Sequence, residues 1–162
     1  KEVGLHGVER DTARLALYLG IEDEVAIERV YPRAESPIAT FARSKEAGLH
    51  FTQPKEAWTR LGDEASASGT CLGSIEEVTT LSDGVTKITG WIVDPNVGKQ
   101  PKTPVFVSNG KVAGLGVRGK YIGDAQSEDA FGGFTLYVLA SELVEGGTIH
   151  SGPSPQACTL SL

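Results

Sequence analysis

The chain has 162 residues, 40% of them hydrophobic, which is enough for one domain or one domain with an appendage and sets disorder aside as the default. Its formal charge is −6 and its pI is near 5.1, which argues against a nucleic-acid partner, because phosphate binding needs a surplus of Lys and Arg on one face. The deficit is even: residues 1–64 carry 9 basic and 12 acidic side chains and residues 65–162 carry 6 and 9, so neither part is a polybasic membrane patch.

No run of about 18 apolar residues spans a bilayer, and the opening residues do not read as a secretory leader, so any targeting segment is expected to lie before Lys1. The chain opens at Lys1 and contains no Met, so the expectation is a fragment or processed product of a longer protein.

Helix punctuation dominates the first sixty residues. Asp11 is placed to cap a helix over 12–19, where Leu15 and Leu19 share a face and Gly20 supplies a left-handed stop. A second helix is expected from Glu22 to Val30 or Tyr31, with Glu22, Asp23 and Glu24 at the positive end of its dipole and Pro32 ending it. A third is expected after the Ser36 cap and Pro37, carrying Ile38, Phe41, Ala42 and Lys45 and stopping at Gly48. A shorter turn over 54–61 carries Trp58. Isolated helices under about 12 to 15 residues are marginal in water, so these must dock on something. Ala65, Ser66, Ala67, Ser68 and Gly69 read as a flexible small-residue linker. The expected division is therefore a helical neck, 1–64, and a β-domain, 65–162.

From Thr70 onward the apolar period changes from 3.6 toward 2. Strands are expected over 70–80, 85–93, 104–108, 112–117, 133–139, 148–150 and 157–162. Asn109-Gly110 between two apolar runs favours a type I′ turn, pairing 105–108 with 111–115 as a hairpin. Ser82-Asp83-Gly84 joins the first two strands. Seven short strands indicate an antiparallel β-sandwich, immunoglobulin-like or jelly-roll, preceded by three to four short helices.

Cys71 and Cys158, the two cysteines, fall on the first and last of these strands. End strands of a sandwich are often neighbours, so a disulfide is geometrically reasonable and would imply an oxidising compartment. The alternative is two buried thiols that never meet. Together with His6, His50 and His150 they show none of the spacings of a zinc site, and no cofactor motif is present.

Catalytic patterns are missing too: there is no GxSxG, HExxH or Walker loop. Gly114-Leu115-Gly116 running into Gly119 imitates a dinucleotide fingerprint, but it opens no helix, and its glycines suit bulges or close strand packing. Glu76 and Glu77 should point to opposite faces of a strand and so fail to converge on one atom, and Glu128-Asp129 reads as solvated surface. Asp83, Asp94 and Asp124 sit at turns, whose chemistry accounts for them.

Among the aromatics, Trp91 is expected to anchor the core. Tyr121 follows Arg118 and Lys120 and precedes Asp124 in a long polar loop, the kind of segment that carries function. Arg118, Tyr121 and Asp124 are accordingly the candidate ligand-binding residues, with a solvated connector as the alternative.

The run Gly90-Trp91-Ile92-Val93-Asp94-Pro95, the stretch from Thr103 to Gly114, Arg118-Gly119-Lys120-Tyr121 and Gly133-Phe134-Thr135-Leu136 together resemble a known β-domain. It is the extracytoplasmic C-terminal tail of bacterial polytopic membrane proteins of cell-surface polysaccharide assembly. The front segment is similar to such tails over 15–19, 26–32 and 48–51. Tails of this kind carry Arg-Pro-Asp where this chain has Tyr121-Ile122-Gly123-Asp124. The resemblance implies a non-catalytic accessory domain of a glycosyltransferase-like protein, tethered outside the cytoplasm. Its implied partners are a glycan and the membrane-embedded portion of the same polypeptide, and sugar transfer would belong to that portion. A free-standing secreted carbohydrate-binding or adhesion module is the other reading.

Overall fold

The apolar alternation that begins after Gly69 resolves into seven strands in a computed structural model, which describes residues 2–21, 23–30, 61–81, 84–121, 131–139 and 147–161. The strands are β1 (Leu72–Thr80), β2 (Val85–Val93), β3 (Val105–Ser108), β4 (Lys111–Lys120), β5 (Gly133–Leu139), β6 (Thr148–His150) and β7 (Thr159–Ser161). They form one antiparallel sheet in the order β1-β2-β5-β4-β3-β6-β7. Its two ends meet where Thr70 bridges Thr159 and Cys71 is bonded to Cys158, so the sheet is nearly a barrel.

The expected class holds: mainly antiparallel β, seven strands, a helical N-terminal segment. The strands curl into one sheet instead of stacking as two. Bulges account for the curl, with register shifts between Ile75 and Glu77, Phe106 and Val107, and Arg118 and Lys120. Each adds twist and a bend to its strand. At the β3–β4 turn, Asn109 (φ 52°) and Gly110 (φ 74°) have the left-handed geometry of the expected type I′ hairpin, with Ser108 opposite Lys111.

Inside the barrel, Ile88 and Ile92 of β2, Phe134 and Leu136 of β5, Phe106 of β3 and Ile149 of β6 form one apolar cluster with the disulfide. A second cluster lies on the outer face, where Val105, Leu115, Val117 and Tyr137 meet Leu15 and Ala16 of α1 (Glu2–Leu19) and Ile21. β3 and β5 are therefore buried on both faces almost throughout.

Helix α1 starts well before Asp11, which lies within it and caps nothing. Thr12 Oγ1 already donates to the Val8 carbonyl four residues back, at 2.8 Å, and the ideal Cβ position of Gly119 lies 3.0 Å from Val8. Packing on β4 thus carries the helix through residues whose local pattern suggested a start. Its stop is as expected. Gly20 (φ 72°) and Ile21 donate to the Leu17 and Ala16 carbonyls at 3.1 and 2.8 Å, the paired bonds of a Schellman motif.

Helix α2 (Glu24–Val30) begins two residues after Glu22 because Asp23 is its cap: the Ala26 N–H donates to Asp23 Oδ1 at 3.3 Å. The same carboxylate is 3% exposed, receives the Tyr137 hydroxyl at 2.6 Å and pairs with Lys87 Nζ at 2.7 Å. One side chain thus joins the helix to β5 and β2. The expected third helix and the turn around Trp58 lie outside the described residues.

The small-residue segment does not run free. Ala65 N–H donates to the Gly110 carbonyl at 3.0 Å and Ser68 N–H to the Ala157 carbonyl at 2.8 Å, and Thr159 N–H donates back to Gly69 at 3.1 Å. Small side chains let its backbone lie against the β3–β4 turn and the start of β7. Among the described residues no helix is long and apolar enough to cross a membrane.

Candidate ligand-binding site at one end of the barrel

Register places the ends of four strands together. Lys120 of β4 pairs with Gly133 of β5, which pairs with Trp91 of β2, which pairs with Ser74 of β1. The β4–β5 connection leaves from this row, so Tyr121, just after β4, and Phe131, two residues before β5, stand at the same end. Their ring centroids are 5.5 Å apart with planes at 51°, and each residue is 48% exposed. Tilted rings at this distance attract through edge and face, so the pair holds its shape with ring surface left to solvent.

Arg118 lies at this end but turns inward. It is 7% exposed, and its Nε donates to the Ile92 carbonyl at 2.8 Å, tying β4 to β2 across β5. The inward row it occupies holds Gly90, where Phe134 covers the backbone. The structure therefore separates Arg118, beneath the rim, from Tyr121, on it. Asp124 lies outside the described residues.

Trp91 is partly buried on the outer face and belongs to neither apolar cluster. Phe106, Phe134 and Tyr137 fill the anchoring role expected of it. The reason is positional: both faces of β2 look apolar in sequence, and the inner one is taken by Ile88, Gly90 and Ile92 with Phe134 pressed on Gly90. Phe131 was not singled out from sequence. The signal available was an aromatic residue directly before Gly132-Gly133, at the entrance to a strand.

Other acidic positions are accounted for locally. Asp94 is buried and accepts from Asn96 N–H at 3.0 Å, while its backbone exchanges two bonds of 2.8 Å with the Gln100 amide, so it organises a turn as expected. Glu76 and Glu77 are both exposed. Glu76 is the extra residue of the β1 bulge and Glu77 follows it, where strict alternation fails, so opposite-face geometry does not apply to them. Asp83 and Glu128-Asp129 lie outside the described residues. Gly114 and Gly116 serve close packing as expected: a Cβ would come within 2.7 and 2.6 Å of the Tyr137 and Thr135 carbonyl oxygens.

His150 of β6 is 5% exposed, with its Nε2 3.1 Å from Thr148 Oγ1. Its Nδ1 is buried without a hydrogen-bond partner among the described residues. Burial pushes its pKa below the ordinary histidine value.

No protein-family model, no curated protein and no solved structure matches the chain.

Proposed function

We infer that this chain is a non-catalytic accessory domain acting outside the cytoplasm, which contacts glycan through the rim bearing Tyr121 and Phe131. The observation that carries the reading is this exposed pair of tilted rings at the end of a barrel. A pyranose presents one face of C–H groups and a periphery of hydroxyls. Exposed aromatic faces take the first, and polar groups at the margin, here the Tyr121 hydroxyl and Lys120, take the second. The Cys71–Cys158 disulfide supports a compartment where thiols are oxidised. The sequence resemblance supports membership of a larger membrane-bound glycosyltransferase-like protein, with sugar transfer performed elsewhere in that polypeptide.

A glycan array probed with this chain tests the reading. Binding to a defined subset is expected, and Tyr121→Ala or Phe131→Ala should weaken it by about tenfold or more, roughly 1.4 kcal/mol, with little change in melting temperature. No binding by the unaltered chain, or binding indifferent to both substitutions, overturns it. Compartment is tested separately. Non-reducing mass spectrometry of protein from its native cells should show Cys71 linked to Cys158, and free thiols on both would refute an extracytoplasmic location.

A further inference from the structure

Strand β1 is the exception in exposure. From Glu76 to Thr80 every side chain is exposed, whereas β3 and β5 are buried almost throughout. One edge of β1 is used along its length by β2. The other meets β7 only at its start, through the Thr70–Thr159 bridge, the disulfide and a 2.8 Å bond from Cys71 N–H to the Thr159 carbonyl. β7 ends at Ser161. Among the described residues nothing pairs with the outer edge of β1 over 74–80, a length of roughly 23 Å at the usual strand rise. An edge of this kind is a template for a further strand.

The charges on that edge select the occupant. Glu76 is the central residue of the nine in β1. Pairing of two whole copies of β1 about a twofold axis would therefore set Glu76 against itself, between chains that each carry −6. Like charges directly opposite destabilise a strand pair. The bulge between Ile75 and Glu77 further breaks the ladder that two identical strands would need. An oppositely charged strand meets neither obstacle, because its basic side chains gain from Glu76 and Glu77 and an irregular partner can follow the bend.

We propose that the outer edge of β1 accepts, by strand addition, an extended segment of a partner polypeptide that carries Lys or Arg opposite Glu76 and Glu77. Val78, 54% exposed, offers the segment an apolar neighbour beyond the acidic pair. This interaction is independent of glycan binding at the rim.

The test uses the whole chain, labelled with nitrogen-15, and two ten-residue peptides of alternating Thr and Val, one with Lys and one with Glu at the two central positions. The Lys peptide is expected to bind and to slow amide exchange over 74–80 specifically. The double variant E76K/E77K should reverse the preference between peptides, by about tenfold in each direction. Both positions are exposed, and an intact disulfide with unchanged β4 and β5 spectra would verify that the variant folds. Absence of binding, slowed exchange elsewhere, or Lys-peptide affinity indifferent to E76K/E77K overturns the proposal. So does a dimer in sedimentation with 74–80 protected in the absence of peptide, since the occupant would then be a second copy.

Discussion

Three elements converge on the buried carboxylate of Asp23, which caps α2, accepts from Tyr137 of β5 and pairs with Lys87 of β2. Burial alone would raise its pKa, but bonds from Lys87 and Tyr137 and the charge of Lys87 outweigh that and hold it below the ordinary carboxylate value. Burial and the adjacent Asp23 push the Tyr137 hydroxyl far above the usual phenol range, so it remains a donor. Asp23→Ala should cost about 2 to 4 kcal/mol in denaturant unfolding, since it strands a buried hydroxyl and a mostly buried ammonium, and Asp23→Asn should cost less because it keeps the cap. The lowered carboxylate contributes stability that is present above the unfolded value of about 3.9 and is lost as pH falls through the lower folded one. His150 works in the same direction, starting higher. Its depressed pKa contributes stability present above about 6.5 and lost as pH falls through the folded value, so His150→Gln should flatten the decline of melting temperature below that pH. Asp11, raised by burial against the charges of Arg14, Lys102 and Arg10, has the opposite sign and offsets part of the final decline. In the sequence Asp23 was visible only as an acid suited to a helix start. Its partnership with Tyr137 spans 114 positions, a distance at which local pattern carries no signal.

Elements were legible where short-range chemistry decides them. Gly20 and Asn109-Gly110 announce a helix stop and a hairpin because their left-handed geometry excludes most other residues. The strands follow from period-2 alternation. Strand order does not, since the neighbours of a strand are chosen by curvature and by side chains from remote segments, and so one curled sheet replaced two stacked ones. The start of α1 was misread for a related reason, as contact with β4 outweighs local cues. At the rim, Tyr121 was legible as a polar-loop aromatic, while Phe131 became its companion only through the β4–β5 register. Close packing of strands makes its own prediction. A Cβ at Gly90 would come within 2.2 Å of the Ser74 carbonyl oxygen, whereas at Gly98 it would meet nothing within 4 Å. Gly90→Ala should therefore destabilise by about 1 to 3 kcal/mol or more and Gly98→Ala by no more than about 0.5 kcal/mol, read as shifts in denaturant midpoint.

At the scale of the molecule, closure of the barrel rests on the junction between β1 and β7. The cysteines are 87 residues apart, and a loop of that length corresponds to about 4 to 5 kcal/mol in the chain-entropy model. Reduction, or the double substitution Cys71→Ser and Cys158→Ser, should lower the denaturant midpoint accordingly. Amide exchange should quicken first in β1 and β7, before β4 and β5 at the centre of the sheet. The same junction also sets an order of events during biosynthesis. At roughly 5 to 20 residues per second, Cys71 emerges roughly 4 to 17 s before Cys158 exists to meet it. For that interval Cys71 has no cysteine partner within residues 1–157 and the sheet stays unclosed. The bond that closes the barrel can therefore form only after nearly the whole sheet, from β1 to the entrance of β7, has been synthesised.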